Sequence, residues 1–201
     1  MRMSGVGKGE EGILANGHPI HILTEEHAII LDIASKLITV AGNLKRARGA
    51  GTVEKLMENI DHLADHLKEA EKHYQREENV LFPHLEKHGI TGPPAQMKSE
   101  HNEIFGIEKR LYALADQEHP LNLTAFGHEL WELATGLSGK LETHFTKENT
   151  VLFPMTLRAV GPGEWADIAA QFEKIGYSIF SPVNAGNAPE GRESGQGAKR
   201  K

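Results

Sequence analysis

Two stretches of this chain nearly copy each other, and they restrict its fold more than any other feature. His73-Tyr-Gln-Arg-Glu77-Glu-Asn-Val-Leu-Phe-Pro83 returns 71 residues later as His144-Phe-Thr-Lys-Glu148-Asn-Thr-Val-Leu-Phe-Pro154. Each reads His, aromatic, variable, basic, Glu, two variable residues, then Val-Leu-Phe-Pro. A shorter echo stands ahead of each copy: Glu26-His27, and 74 residues on, Glu100-His101. A repeat of this kind describes two helical hairpins. Each carries one histidine on its first helix and a His-x-x-x-Glu on its second, and the two are related by a pseudo-twofold axis.

The spacing carries the chemistry. Residues four apart lie one turn apart on the same helical face. His73 and Glu77 can therefore reach one interior point, and so can His144 and Glu148. His27 falls within the stripe Ile20, Leu23, Ile30, Leu31, Ala34, Leu37 and Ile38, and His101 falls within Met97, Ile104 and Phe105. All six side chains should thus point into a core, where one unpaired ionised carboxylate costs several kcal/mol. A divalent or trivalent metal offsets that cost. Two bridging carboxylates with imidazoles suit a pair of iron ions about 3.5 Å apart. A single His-x-x-x-Glu is ordinarily a surface pair. Two copies, each with a stripe histidine ahead of it, point to metal.

The remaining sequence predicts an all-α protein, an up-down-up-down four-helix bundle with an additional C-terminal helix. Apolar residues recur at three and four throughout, and nothing reads as a strand. Gly49 and Gly51 break the chain, with Thr52 as N-cap of a second helix. Gly89 to Pro94 forms a turn, His119-Pro120 closes the third helix, and the fourth runs from roughly Asn122 through Pro154. A shorter fifth helix is expected over about Glu164 to Phe180. Pro83 and Pro154 should kink or end their helices. The ordered domain is expected over 19–181, between a Gly-rich leader (1–18) and a polar tail (182–201) too poor in apolar residues to order themselves.

The other histidines receive lesser roles. His66 shares a face with His73 but lies seven residues, about 10 Å, away. It is read as lining an entry path, and Glu69 as an outer partner of His73. His84, His88, His119 and His128 read as surface residues, His18 and His21 as leader residues, and Tyr74 and Trp131 as core.

Composition removes several alternatives. The chain has no cysteine, which excludes disulfides, zinc ribbons, iron–sulfur ligation and thiol catalysis. A formal charge of -6 argues against a nucleic-acid surface. No uncharged apolar run is long enough to cross a bilayer, and the N-terminal residues lack the apolar stretch of a secretory signal, so a cytoplasmic protein without a membrane partner is expected.

The pattern His…His-x-x-x-Glu…His…His-x-x-x-Glu, from His27 to Glu148, resembles the haemerythrin-like, or HHE cation-binding, family. The stretch HYQREENVLFPHLEKHGITGPP looks especially like its bacterial and archaeal members. The resemblance implies metal ligation by His27, His73, Glu77, His101, His144 and Glu148. It implies two iron ions (Fe2+/Fe3+) with an oxo or hydroxo bridge, manganese or zinc being the alternatives, and an open position on either iron. Oxygen-carrying members have a further histidine where Phe105 stands, and His-x-x-x-x-Asp where this chain has Glu148 and Asn149. Four histidines and two glutamates are closer to the iron-centre repair proteins, although those usually carry N-terminal cysteines. The implied function is binding or sensing of O2, NO or peroxide. The alternatives are a di-iron enzyme of oxidative or nitrosative stress defence (peroxide or NO breakdown, iron–sulfur cluster repair), or an interaction module in which metal only stiffens the bundle.

Overall fold

Eight helices and two wide turns make up the computed structural model, which describes residues 17–117, 120–179, 181 and 183. The helices are α1 (Pro19–Leu44), α2 (Ala50–Lys68), α3 (Glu71–Arg76), α4 (Phe82–Lys87), α5 (Gly92–Ala115), α6 (Leu123–Lys147), α7 (Phe153–Ala159) and α8 (Pro162–Ile175). π-helical turns at Glu77–Leu81 and Glu148–Leu152 join α3 to α4 and α6 to α7. No strand occurs among the described residues. The chain therefore has four arms: α1, then α2–α3–α4, then α5, then α6–α7. Residues 1–16, His119, Phe180 and most of the tail lie outside the described residues.

Packing closes the bundle. α1 packs on α2, α2 on α5, α5 on α6 and α6 on α1, so the four arms form a ring, and the short links between them reverse the chain each time. α6 approaches α1 closely at Gly127, where an added Cβ would lie 3.4 Å from the Ala41 carbonyl oxygen. Only α1, among the described residues, has the length and apolar content to cross a membrane. In the bundle, its Leu23, Ile30, Ala34 and Leu37 are wholly buried.

Local chemistry places the ends. The His18 ring Nδ1 accepts the Ile20 N–H at 3.2 Å, and Pro19 opens α1 where no donor is needed. Asn122 caps α6 by accepting from Thr124 and Ala125. α2 starts two residues earlier than Thr52, because Gly49 at φ 84° makes the turn itself. Pro93 and Pro94 belong to the first turn of α5, not to the preceding loop. α8 is shifted toward the N-terminus from its expected span. The Gly161 N–H donates to Glu164 Oε2 at 2.9 Å, and the helix stops at Gly176, φ 85°.

Neither internal proline ends its helix. A proline ring crowds the carbonyl four residues back and supplies no N–H. The chain answers by widening: Phe82 N–H reaches the Glu77 carbonyl, and Phe153 N–H reaches that of Glu148, five residues back in each case. Such single wide turns occur often at functional sites, and here each one begins on a predicted ligand.

The core is divided. One apolar cluster includes Ile30, Tyr74, Ile104 and Phe145. The other includes Leu23, Leu81, Met97 and Leu152, and is covered by Ile168 and Phe172 of α8. On all four arms the predicted ligands fall between a residue of one cluster and a residue of the other. α8 packs chiefly on α1 and the first repeat, and Val80 is buried, whereas its counterpart Val151 is 51% exposed.

Candidate metal centre

Six polar side chains from four arms fill the layer between these clusters. His27 (α1), His73 (α3), Glu77 and Glu148 (the wide turns), His101 (α5) and His144 (α6) are each at most 3% exposed. They form two groups sharing both glutamates: His27, His73, Glu77 and Glu148, and Glu77, His101, His144 and Glu148. In each group four ligand atoms lie within 4.8 Å of one another. His27 Nε2 is 3.1 Å from Glu148 Oε2, and His144 Nε2 is 2.9 Å from Glu148 Oε1. Glu77 Oε2 lies 3.6 Å from His73 Nε2 and 3.4 Å from His101 Nε2.

These atoms fit cations better than they fit one another. Although fully buried, both carboxylates, His73 Nε2 and both ring nitrogens of His27 make no well-aligned hydrogen bond among the described residues. Buried polar groups are almost always satisfied, so a concentration of such groups in one place fits bound cations. His101 Nε2 and His144 Nε2 face each other at 3.0 Å. Their Nδ1 atoms each meet a carboxylate and so hold a proton, which leaves the two Nε2 atoms either competing for one proton or opposed as lone pairs. A cation between them resolves that conflict. Rings enclose the layer: Phe145 stacks on His27 at 3.9 Å, and Phe82 lies parallel to His101 at 6.0 Å.

An outer ring of partners holds the imidazoles. Glu26 accepts from His73 Nδ1 at 3.0 Å, and Glu100 accepts from His144 Nδ1 at 3.0 Å. The basic residue of each repeat then holds that glutamate. Arg76, fully buried, donates to Glu26, and Lys147 donates to Glu100 at 2.6 Å. Glu78 accepts from His101 Nδ1 at 2.6 Å. Carboxylate–histidine pairs of this kind orient a ligand and raise its basicity. Burial would lift the pKa of Glu26 and Glu100. Their partners outweigh it, leaving Glu26 lowered and Glu100 at about 2. Burial would likewise lower that of His101, but Glu148 and Glu77 raise it to about 10. At His27 burial wins, and the pKa is lowered.

Several sequence expectations need correction. Glu69 does not serve His73: it is paired with Lys72 at 2.6 Å, and the partner is Glu26, from another helix. His66, expected outside the ligand set, is exposed on α2 and belongs to neither group. His84 is buried, with Nδ1 on the Val80 carbonyl at 2.8 Å, because α8 covers it. Trp131 is 39% exposed under Lys45. The sequence reading missed Glu26, Glu78, Glu100, Arg76 and Lys147 as outer partners. The Glu-His echo and the shared basic position in the repeats were the available signals.

One buried acid lies just beyond. Glu108 on α5 accepts from the Tyr74 hydroxyl at 3.4 Å, and borders a cleft of about 240 Å³ with Lys68, Glu71, Phe105 and Tyr112. Burial raises its pKa from 4.5 to about 7 despite Tyr74. The folded state thus binds the proton more tightly than the unfolded chain. The stabilisation is complete below pH 4.5 and is lost as pH rises through about 7. In urea melts, Glu108→Gln should gain about 3 kcal/mol on the wild type between pH 4.5 and 8. A constant difference would contradict this.

The family model for the hemerythrin HHE cation binding domain matches residues 18–156 of the chain. No curated protein matches it. The matched span holds all six converging side chains and their outer partners.

Proposed function

The chain belongs to the hemerythrin HHE cation-binding family and is a metal-binding protein, and we propose that its six buried ligands hold two iron ions that bind or sense a small oxidant, O2, NO or peroxide. The supporting observation is the sharing of Glu77 and Glu148 between two four-ligand groups. Two carboxylates common to both groups are what a closely spaced metal pair requires. Four imidazoles with two carboxylates suit iron among the common metals, with zinc and manganese the nearest alternatives. When bound, such a pair supplies redox-active ions with coordination positions left over for a diatomic molecule or peroxide.

The chain's own residues do the rest. Glu26, Glu78 and Glu100 hold imidazole protons at Nδ1, keeping the Nε2 lone pairs directed inward. Phe145, Phe82 and Phe153 keep the layer apolar at its edges. Phe105 lines the cleft beside α5 and lies 6.4 Å from the His101 ring. Ligand binding and turnover begin at the same place, so cluster repair or peroxide breakdown would use the same residues.

Elemental analysis with a visible spectrum tests the pair. Aerobically purified protein is expected to hold close to two irons per chain and to absorb as a ferric pair, whereas His73→Ala with His144→Ala should hold none stoichiometrically. Unchanged iron in the double variant would refute the assignment. Stopped-flow mixing of the reduced protein with O2 and with peroxide then separates carriage, read as a stable adduct, from turnover, read as gas release.

A further inference from the structure

The pseudo-twofold axis relates almost every residue of the centre to a partner of the same kind, and it fails at one position. His73 and His144, Glu26 and Glu100, Arg76 and Lys147, and Glu77 and Glu148 correspond in type and contact. Glu78 corresponds to Asn149. Glu78 Oε1 accepts from His101 Nδ1 at 2.6 Å. On the other side Asn149 is exposed, and His27 Nδ1 is buried without a hydrogen-bond partner among the described residues. The His27 ring stacks on Phe145 and Phe153, and its Nε2 lies 3.1 Å from Glu148, but no carboxylate meets its Nδ1 among the described residues.

Resting on the two-ion reading above, we propose that the two metal positions are unequal: the His101–His144 position fills first and empties last, the His27–His73 position is the exchangeable one, and Glu78 is the positioning residue that sets this order. Three features of the geometry carry it. A carboxylate on Nδ1 fixes the tautomer that leaves the Nε2 lone pair free, and makes that nitrogen a stronger donor. His101 has this support and His27 does not. The outer charges also differ. Beside His27 and His73, the Glu26 charge is matched by the buried Arg76 guanidinium. Beside His101 and His144 stand Glu78 and Glu100, with Lys147, 40% exposed, as the one cation paired with them among the described residues. The second position therefore offers one more negative charge to a cation. Finally, Glu77 and Glu148 serve both positions, so they cannot create the difference. Loss of an outer partner of a metal-binding histidine typically costs 10–100-fold in affinity, and a gap of that order is expected between the two steps.

Repulsion between two ions separates binding steps at any such centre, so the informative quantities are which position fills first and how Glu78 changes the gap. Metal-free protein would be given one equivalent of Co2+ and crystallised, and the ion located by anomalous scattering. Competition titration with a chromophoric chelator would give both constants for wild type, Glu78→Gln and Asn149→Glu. The expected result is a peak at His101–His144. Glu78→Gln should narrow the gap at least tenfold while still binding two ions, and Asn149→Glu should narrow it from the other side. A peak at His27–His73, equal peaks, or an unchanged gap in Glu78→Gln would overturn the proposal. Fewer than two ions in the wild type would sink the two-ion reading itself, and this inference with it. Glu78→Gln is isosteric at a one-third exposed position, so its fold should survive, and a thermal melt checks that directly.

Discussion

Stripping the metal from the loaded protein should lower its melting temperature by about 15 °C or more. The layer at mid-bundle contains two wholly buried carboxylates and three imidazole nitrogens without a well-aligned hydrogen bond among the described residues. In the unfolded chain all of these are hydrated and bind metal poorly, so almost all of the binding free energy counts as folding free energy. An ion present at a thousandfold excess over its dissociation constant contributes about 4 kcal/mol, and two such ions about 8. For a domain of this size each kcal/mol moves the midpoint by about 2–4 °C. Calorimetry before and after reduction and chelation measures the shift, with residual metal determined in the same samples. His73→Ala with His144→Ala supplies the control, since its melt should not respond to chelation. A wild type that loses its metal and melts unchanged would show that these six groups are satisfied in some other way.

The second large effect is expected at Arg76, which is not a ligand. Its guanidinium is fully buried. It donates to Glu26 and to the Gly176 carbonyl at 2.7 Å, and faces the rings of Phe172 and Tyr177. It therefore ties the partner of His73 to the segment that follows α8. Arg76→Met leaves the Glu26 carboxylate, 1% exposed, without its opposing charge. Breaking a buried pair from one side typically costs about 3–5 kcal/mol. Glu26→Gln added to Arg76→Met removes the stranded charge and should restore part of the loss. The symmetry-related change, Lys147→Met, should cost at most about 1 kcal/mol, because Lys147 is 40% exposed and its pair with Glu100 is shared with water. Urea melts of the metal-free variants make the comparison. Equal losses at Arg76 and Lys147 would mean that burial by α8 contributes nothing to the first pair.

These two results probe different levels at which the molecule is specified. The six converging side chains are legible in the sequence because helix geometry alone brings His73 over Glu77 and His144 over Glu148, and because the apolar stripes show which way His27 and His101 must face. The two-hairpin organisation is legible for the same reason, since a repeated motif implies a repeated unit. The fate of the Val-Leu-Phe-Pro segments is less so. A proline predicts a break, but whether the ladder ends or widens depends on whether the next turn has something to pack against. Here Phe82 and Phe153 do, and both helices continue.

What lies beyond the reach of local spacing is the pairing of Nδ1 atoms. Glu26 meets His73 across 47 residues of chain and Glu100 meets His144 across 44, each on a neighbouring arm. Glu69, at a plausible helical distance, instead finds Lys72. Helical periodicity states which residues share a face, but the rotation and offset of one helix against its neighbour arise from packing the whole core. The same packing decides that α8 lies over the first repeat, burying Val80, His84 and Arg76, while Val151 and Lys147 of the second repeat remain in contact with solvent. Two nearly identical motifs thereby acquire different surroundings. Local sequence dictates the donors of the centre and one difference between its halves, Glu78 against Asn149; the assembled bundle adds the other by burying one repeat under α8.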